Sequence, residues 1–324
     1  MNIAFYSTKP YDRIWFEPLS HQYNININFL ESPLKESSIP LAAGCEAICI
    51  FVNDFVTAAI VDELCNLDVK VILLRSAGYN HVDLDAARGR IHVLRVPSYS
   101  PDAVAEYAMA LLLTVNRYTH RAYSRTRDFN MSINGLMGQT LFGRTAGIIG
   151  TGKIGQSMIR ICQGFGMNIL AYDPYPNTSL NVTYTDCNTL FSQSDIISLH
   201  CPLTADTHYL ISHKAISLMK DGVYLINTSR GALIDTAALI DGLAGKKFAG
   251  VGLDVYEEED GVFYEDRSND IINDEHLIRL TSFPNVLITS HMGFFTREAM
   301  EAIATVTLEN VAAFADGREL ANEL

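Results

Sequence analysis

The feature that most constrains the fold is the stretch at residues 145–155, which reads TAGIIGTGKIG. Its first half is small and apolar, as is typical of a buried strand. The strand leads into the pattern G-x-G-x-x-G, with glycines at Gly150, Gly152 and Gly155. The residues behind the pattern carry apolar side chains at helical spacing. A strand, a glycine turn and a helix in this order predict a dinucleotide-binding unit.

Each residue of the turn has a predicted role in holding the dinucleotide. Gly150 allows the tight turn, Gly152 lets the backbone approach a pyrophosphate, and Gly155 lets the helix pack against the strand. The free N–H groups at the start of the helix, at Lys153 and Ile154, would face the phosphates together with the helix dipole.

An acidic residue gives a second indication of the cofactor. The next predicted strand, residues 168–172, ends at Asp173, about twenty residues after the motif, where a carboxylate accepts hydrogen bonds from a ribose diol. A carboxylate would repel a 2′-phosphate, so NAD is favoured over NADP. A glycine turn that binds no nucleotide is the alternative, and the complete strand–turn–helix–acid context argues against it.

The pattern of strands predicts an α/β protein with two doubly wound parallel sheets. Residues 1–99 alternate short strands and helices without a glycine motif, and the chain from residue 145 follows the plan of a six-stranded nucleotide fold. The predicted strands of the first part are 2–6, 24–30, 46–51, 70–74 and 92–96, and those of the second part are 145–149, 168–172, 195–200, 223–227, 248–254 and 285–289.

Composition narrows the class of partner and the compartment. The chain has 324 residues and a formal net charge of −13, which argues against binding nucleic acid or an anionic membrane surface. No apolar run approaches the length of a membrane span, and the first residues read as a strand rather than a signal peptide. The six cysteines are scattered without a C-x-x-C motif. Free thiols suit a reducing environment, so we expect a cytoplasmic protein.

A helix that starts at Ser100-Pro101 bears on assembly. Residues 104–115 are apolar nearly all round, which requires burial on several faces. The helix could lie inside the fold or at a subunit interface. We expect a homodimer, or a tetramer built from dimers, with this helix at the interface.

Titratable residues follow the predicted strands at their carboxyl ends, where open α/β sheets bind ligands. They are His200, Arg230, Asp254 with the nearby Glu259, and His291. An arginine can hold a carboxylate through two hydrogen bonds, and a histidine can protonate a carbonyl oxygen while an adjacent carboxylate favours its charged form. Beside a nicotinamide these groups would suffice for hydride transfer to a 2-oxo acid.

Each of these residues also has a purely structural interpretation. Arg230 could be a surface cation or a helix cap, His291 a hydrogen-bonded structural histidine, and Asp254 a cap at the end of its strand. Glu259 lies in an acidic run and could be solvated surface. No pair of ligands has the spacing of a metal motif such as H-E-x-x-H, so no metal site is predicted.

Over nearly its whole length the chain resembles the NAD-dependent D-2-hydroxyacid dehydrogenases, and most closely their D-lactate dehydrogenase branch. Eight segments carry the resemblance: RSAGYNHVD at 75–83, RVPSYSPDAVAE at 95–106, GIIGTGKIG at 147–155, DP at 173–174, HCPLT at 200–204, NTSRGALI at 227–234, LDVY at 253–256 and HMGFFT at 291–296.

The resemblance implies a role for each candidate residue. Arg230 would bind the substrate carboxylate, His291 would be the general acid/base, and Glu259 would pair with it. Further residues implied in the cofactor site are His200, Pro202, Thr228 and Asp254. Those implied in substrate binding are Ala77 and Gly78, through their backbone N–H groups, and Phe51, Tyr99 and Phe294, which would line the pocket.

The resemblance also implies a domain layout and a reaction. A Rossmann-like nucleotide domain (101–296) would be inserted in a flavodoxin-like substrate domain (1–100 with 297–324), with a cleft between them. We expect reduction of pyruvate to D-lactate by NADH; a bulkier or hydroxylated 2-oxo acid, and an NAD-sensing corepressor or scaffold, are the alternatives. The sequence departs from the family in having Ser290 where a proline is common. The additional residues at 261–274 favour the D-lactate branch.

Overall fold

The computed structural model describes all 324 residues, and the chain divides into two compact units. The first unit comprises residues 1–100 and 295–324, and the second comprises residues 101–294. The sequence placed the return to the first unit at residue 297. Each unit contains one parallel sheet with helices packed against it, so the predicted α/β fold class is confirmed.

The first unit contains a five-stranded sheet. Its elements are β1 (Asn2–Phe5), α1 (Pro10–Gln22), β2 (Asn26–Phe29), β3 (Ala47–Ile50), α2 (Ala58–Asn66), β4 (Val71–Leu74), α3 (Leu84–Ala87) and β5 (His92–Arg95). The strand order is β2-β1-β3-β4-β5, which is the flavodoxin-like order. The central strands β3 and β4 are apolar at every position because helices cover both faces of a parallel sheet, and all their residues are buried.

The second unit contains a seven-stranded sheet. Its elements are α4 (Pro101–Arg117), α5 (Thr119–Arg127), β6 (Thr145–Ile149), α6 (Lys153–Gly164), β7 (Asn168–Tyr172), β8 (Thr183–Tyr184), α7 (Cys187–Gln193), β9 (Ile196–Leu199), α8 (His213–Leu218), β10 (Val223–Asn227), α9 (Thr236–Ala244), β11 (Phe248–Leu253), α10 (Glu275–Ser282) and β12 (Val286–Ile288). The strand order is β12-β11-β10-β9-β6-β7-β8, the Rossmann order extended by one strand.

The strand that the sequence pattern did not predict is β8, which pairs with β7 through only two residues. Two residues are too few to show a period of alternating side chains, so the sequence pattern predicted six strands rather than seven. The six predicted strands are all present.

The position of helix α4 corrects the interpretation of its apolar surface. Its residues Ala105, Ala108, Leu112 and Val115 are buried in one cluster with side chains of α6 and of the sheet. The helix is therefore apolar nearly all round because a second helix covers one side of it while the sheet covers another. Within the chain it is an internal helix, and this packing accounts for its apolar residues without a subunit interface. The predicted assembly through this helix stays a prediction.

The last helix, α11 (Arg297–Ala315), belongs to the first unit. It packs against α1, β4 and β5 and buries Met300, Ile303 and Leu308. Thr296 caps its first turn by accepting a hydrogen bond from Ala299 N. The first unit thus needs a segment from the far end of the chain to cover one face of its sheet.

Three further features bear on the predictions from composition. All six cysteines are free thiols, and four of them are buried. No helix has both the length and the apolar character that crossing a bilayer requires. No cluster of three or more potential ligand side chains is arranged to hold a metal ion.

Candidate active site

Six neighbouring strands of the second unit bring the candidate residues to one edge of its sheet. Because the strands are parallel, their carboxyl ends meet there. In spatial order, these ends lead to Asp173 after β7, Gly150 after β6, His200 after β9, Thr228 and Arg230 after β10, Asp254 after β11 and His291 after β12. The order in which the chain adds strands to the sheet reverses between β6 and β9, which is where dinucleotides bind in this fold.

The glycine turn is held by close backbone contacts. A Cβ added to Gly155 would lie 1.9 Å from the carbonyl oxygen of Gly150, and one added to Gly150 would lie 2.6 Å from the carbonyl of His200. Gly150 also has a φ of +92°, which disfavours any residue with a side chain. A Cβ added to Gly152, in contrast, meets nothing within 4 Å. The open space at Gly152 fits the close approach of a pyrophosphate.

Asp173 has a structural role that the motif did not reveal. Its Oδ2 accepts hydrogen bonds from the backbone N–H of Thr151 at 2.7 Å and from the hydroxyl of Thr151 at 3.1 Å. Its Oδ1 accepts from Tyr175 N at 2.9 Å. A carboxylate has about four acceptor positions, so the group retains capacity for a ribose hydroxyl. Asp173 therefore anchors the glycine turn in addition to its predicted contact with the cofactor.

The ends of β9 and β10 present groups suited to a neutral part of the cofactor. The ring of His200 makes a 2.8 Å hydrogen bond with the hydroxyl of Ser198, and burial lowers the pKa of His200 to about 4. The imidazole is thus uncharged at neutral pH. The hydroxyl of Thr228 is buried without a hydrogen-bond partner in the protein. An orphaned buried hydroxyl fits a predicted cofactor contact. Pro202 lies in the exposed turn after His200, and its carbonyl accepts a bond from Thr207.

The loop after β10 fixes Arg230. Asn227 donates to the carbonyl oxygen of Arg230 at 2.8 Å, and Nη1 of Arg230 donates to the carbonyl of Ser229 at 2.7 Å. A Cβ on Gly231 would lie 2.0 Å from the carbonyl carbon of Tyr256. The loop that carries Arg230 is therefore packed directly against the backbone at the start of the segment that carries Glu259.

Glu259 and His291 form the central pair of the site. Nδ1 of His291 lies 2.8 Å from Oε1 of Glu259, and about 17% of each side chain is exposed. The other carboxylate oxygen of Glu259 accepts from Tyr256 N at 3.1 Å. A carboxylate that holds Nδ1–H fixes the tautomer and the orientation of the ring, which leaves Nε2 as the atom that can exchange a proton with a ligand.

Asp254 holds the loop that carries His291. Its carboxylate accepts from the hydroxyl of Thr289 at 2.6 Å, from Met292 N at 3.0 Å and from Gly293 N at 2.7 Å. Its backbone carbonyl accepts from His291 N at 2.7 Å. Burial raises the pKa of Asp254. Asp254 was predicted to contact the cofactor; the bonds in the structure show that it also supports residues 289–293.

The first unit carries four further candidates, Ala77, Gly78, Phe51 and Tyr99, all of which follow strands of its own sheet. Ala77 and Gly78 follow β4, and their carbonyl oxygens accept bonds from Arg95 at 3.1 Å and from Ser76 at 2.8 Å. Because both carbonyl oxygens accept hydrogen bonds, the turn that presents the N–H groups of Ala77 and Gly78 is fixed.

The aromatic candidates differ in how they are held. Phe51 follows β3, and Asp54 accepts a hydrogen bond from its backbone N–H at 2.8 Å. Its ring stacks 4.8 Å from the guanidinium of the buried Arg75. Tyr99 precedes α4 and is half-buried, as is Phe294 at the end of the second unit.

Two supporting residues were missed by reasoning from the sequence. Arg75 lies between the rings of Phe5 and Phe51, and Tyr264 donates a hydrogen bond to the carbonyl oxygen of His291. Arg75 follows β4 within the segment 75–83, so its position at a strand end could have identified it as a candidate residue. Tyr264 lies in an irregular acidic stretch that offers no periodic signal.

The glycine turn with its acid, together with the hydrogen-bonded pair of Glu259 and His291 at the same sheet edge, is typical of a dinucleotide-dependent enzyme. A family model described as D-isomer specific 2-hydroxyacid dehydrogenase, NAD binding domain, matches residues 109–293. The chain is 49% identical to the D-lactate dehydrogenase of Escherichia coli over the full length of both. The chain belongs to the D-isomer-specific 2-hydroxyacid dehydrogenases and uses NAD as its cofactor.

Solved structures extend the comparison. The pyruvate reductase of Chlamydomonas reinhardtii has a TM-score of 0.93 and 40% identity, with 99% of this chain and 98% of that one covered. The D-lactate dehydrogenase of Aquifex aeolicus, complexed with NAD and lactic acid, has a TM-score of 0.87 and 34% identity, with 98% and 96% covered. The protein is thus an oxidoreductase similar to the D-lactate dehydrogenases.

The glycine turn yields a test that separates cofactor binding from folding. Gly152→Ala should keep a melting temperature near wild type, because its Cβ meets no protein atom, but it should weaken NADH binding by roughly tenfold or more through overlap with the pyrophosphate. Gly155→Ala is the matched comparison and should lower the melting temperature, since its Cβ collides with the backbone. Thermal unfolding and NADH fluorescence measure both. Wild-type NADH affinity in Gly152→Ala would contradict the assignment.

Asp254 yields a second test. Asp254→Asn should lower kcat by about 10- to 100-fold, because an NH₂ group would replace an oxygen that accepts an N–H of the His291 loop. The melting temperature of Asp254→Asn should fall only slightly, in contrast to the large fall in kcat. Burial raises the pKa of Asp254, so the charged form costs free energy in the fold and the neutral amide avoids that cost. Asp316→Asn, at an exposed position, is the control. Unchanged kcat in Asp254→Asn would rule out the support role.

Proposed function

We propose that the protein reduces pyruvate to D-lactate with NADH. The observation that carries the proposal is the hydrogen-bonded pair of Glu259 and His291, whose Nδ1 and Oε1 atoms lie 2.8 Å apart at the edge of the nucleotide-binding sheet. Bound NADH supplies the hydride that the carbonyl carbon takes up. The protein must then supply one proton to the carbonyl oxygen, and a histidine oriented by a carboxylate suits this role.

Each remaining group has a separate task in the proposal. Arg230 binds the carboxylate of the substrate through its planar guanidinium, and the backbone N–H groups of Ala77 and Gly78 donate to the same carboxylate. His291 donates its Nε2 proton to the carbonyl oxygen as that oxygen becomes a hydroxyl. Glu259 keeps the ring in the orientation that exposes Nε2.

The choice of pyruvate rests on aromatic residues and on the names of relatives. Phe51, Tyr99 and Phe294 would border the substituent of the keto carbon, and three rings leave room for a methyl group more readily than for a phenyl group. Phe51 is fixed by the bond of its N–H to Asp54 and by its stacking on Arg75. Several similar proteins are D-lactate dehydrogenases, and one is a pyruvate reductase.

The compartment is a further part of the proposal. The six cysteines are free thiols in this fold. Reduced thiols persist where glutathione and thioredoxin act, and cytoplasmic NADH would be available there. We therefore place the enzyme in the cytoplasm.

Kinetics on a panel of 2-oxo acids test the function. Pyruvate should be reduced at least roughly tenfold more efficiently than phenylpyruvate, because overpacking costs about 1–3 kcal/mol. His291→Gln should lose about 10²- to 10⁴-fold in kcat while NADH binding is retained. The exposed His276→Gln is the control. Equal rates with pyruvate and phenylpyruvate would contradict the substrate assignment. If no 2-oxo acid is reduced, an NAD-sensing role is favoured. If His291→Gln keeps its activity, His291 is not the proton donor.

We also propose a homodimer, now through a different surface. Residues 118–142, here called the arm, carry six large apolar side chains that are each more than 60% exposed: Tyr123, Phe129, Met131, Ile133, Met137 and Phe142. The arm is pinned at its end, since Asn116 exchanges two hydrogen bonds with the backbone of Gln139. Exposed apolar patches of this kind mark interaction sites.

A second copy of the chain is the partner that suits the arm. The arm contains three arginines and one aspartate, whereas the whole chain has a net charge of −13, so another copy offers the complementary charge. A two-fold interface would also bury the same patch on both subunits. Tetramers could form from such dimers.

A matched pair of isoleucines tests this assembly. Ile133 is 83% exposed on the arm, and Ile271 is 85% exposed outside it. Ile133→Glu should shift the protein toward monomer in sedimentation velocity, because it would bury a charge in the interface, whereas Ile271→Glu should leave the dimer intact. A wild-type monomer at micromolar concentration would refute the proposal, and so would equal effects of the two variants.

A further inference from the structure

An acidic segment packs against the loop that carries the histidine. This segment, residues 257–274, includes Glu259 near its start, and its middle is anchored by Phe263, which is 6% exposed in the core of the second unit. Its end is fixed where the hydroxyl of Tyr256 donates to Asp274 at 2.9 Å. The segment is therefore a built part of the site rather than a loose surface loop.

Tyr264 connects this segment to His291. Its hydroxyl donates a 2.8 Å hydrogen bond to the backbone carbonyl oxygen of His291, and the two rings lie 6.1 Å apart between centroids with planes 31° apart. The tyrosine side chain also packs against the core beside Phe263. Glu259 thus contacts the imidazole of His291, and Tyr264 contacts its peptide, both from the same segment.

The backbone at these two residues is unusual. Nine residues other than glycine have a positive φ, and Tyr264 at 66° and His291 at 53° are two of them. Left-handed conformations of bulky residues are disfavoured and persist only where surrounding contacts hold them. Here the two residues are joined directly by a hydrogen bond.

We propose that Tyr264 is a positioning residue for the proton donor: its hydroxyl holds the peptide of His291 in the left-handed conformation that aims the imidazole. The inference rests on the proposed role of His291. Three contacts then fix the histidine at three different groups. Asp254 accepts from its N–H, Tyr264 donates to its carbonyl, and Glu259 holds its ring.

The hydroxyl acts on orientation and not on protonation. It is bonded to a peptide oxygen, while the charged groups that face the imidazole are Glu259 and Asp254, and both would remain in a variant that lacks the hydroxyl. Loss of the bond should therefore lower the fraction of time in which Nε2 is aimed correctly. Such a loss reduces turnover more than substrate binding.

Tyr264→Phe tests the role, since it removes one oxygen and keeps the ring. With pyruvate and NADH, kcat should fall roughly 3- to 10-fold, the range expected for one net hydrogen bond, while KM changes by less than about twofold. The pH at half-maximal kcat should stay at the wild-type value. Replacing Tyr264 with 4-aminophenylalanine, which keeps a donor at the para position, should recover part of kcat, and this variant decides the question if Tyr264→Phe is unstable.

Arg267→Met is the matched control. Nη1 of Arg267 donates a 2.8 Å hydrogen bond to the carbonyl oxygen of Gly261, and its Nε pairs with Asp270. The variant thus removes a bond of the same length to a backbone carbonyl, and an ion pair as well, within the same segment but away from His291. Its kcat should equal that of wild type. An equal loss in Arg267→Met would show that general loosening of the segment is responsible and would overturn the proposal.

Other outcomes are equally decisive. Wild-type kcat in Tyr264→Phe, a shifted pH midpoint, or a folded 4-aminophenylalanine variant without recovery would each overturn the positioning role. His291→Gln measured in the same assay separates this inference from the proposed function. If His291→Gln is inactive and Tyr264→Phe is normal, only the inference fails; if His291→Gln is active, the proposed function fails as well.

Discussion

The site depends on one buried carboxylate. Asp254 follows β11, and its two carboxylate oxygens accept three hydrogen bonds from residues 289–293, while its backbone carbonyl accepts the N–H of His291. Burial costs the charged carboxylate free energy and raises the pKa of Asp254, and the hydrogen bonds offset part of this cost. Because β11 and β12 are neighbours in register, the rigid sheet determines where the histidine loop begins and Asp254 determines its shape.

Parallel strands explain why so few residues suffice for the chemistry. Every strand ends at the same edge, so a single residue beyond each end reaches a common region without long loops. Most of the proposed cofactor groups stand after β6, β7 and β9, and the proposed acid/base pair follows β11 and β12. Arg230 stands between these sets after β10. The close backbone contacts of the glycine turn therefore lie several strands away from the loop that carries His291.

Sequence patterns predicted the parts of this arrangement that have a periodic or local signature. The glycine turn, Asp173 and the strands with continuous apolar runs belong to this group. The apolar pattern of α4 predicted that this helix is buried, but it could not distinguish packing against α6 from packing against another subunit. The contact of Tyr264 with His291 joins residues 27 positions apart through a single hydroxyl, and no spacing rule indicates such a bond. The exposed arm was missed because its apolar residues follow no period.

The backbone of His291 is in the left-handed conformation, which explains why so many contacts support the loop around it. Where the family pattern has a proline before the histidine, this chain has Ser290, which does not restrict the backbone in the same way. A left-handed residue with a bulky side chain costs on the order of 1–3 kcal/mol. A hydrogen bond to a charged group contributes about 1.5–3 kcal/mol, so the bonds to Asp254 can offset that cost where a rigid ring is absent. The geometry of His291 is thus maintained by polar contacts from two segments, and each contact can be altered without changing the histidine itself.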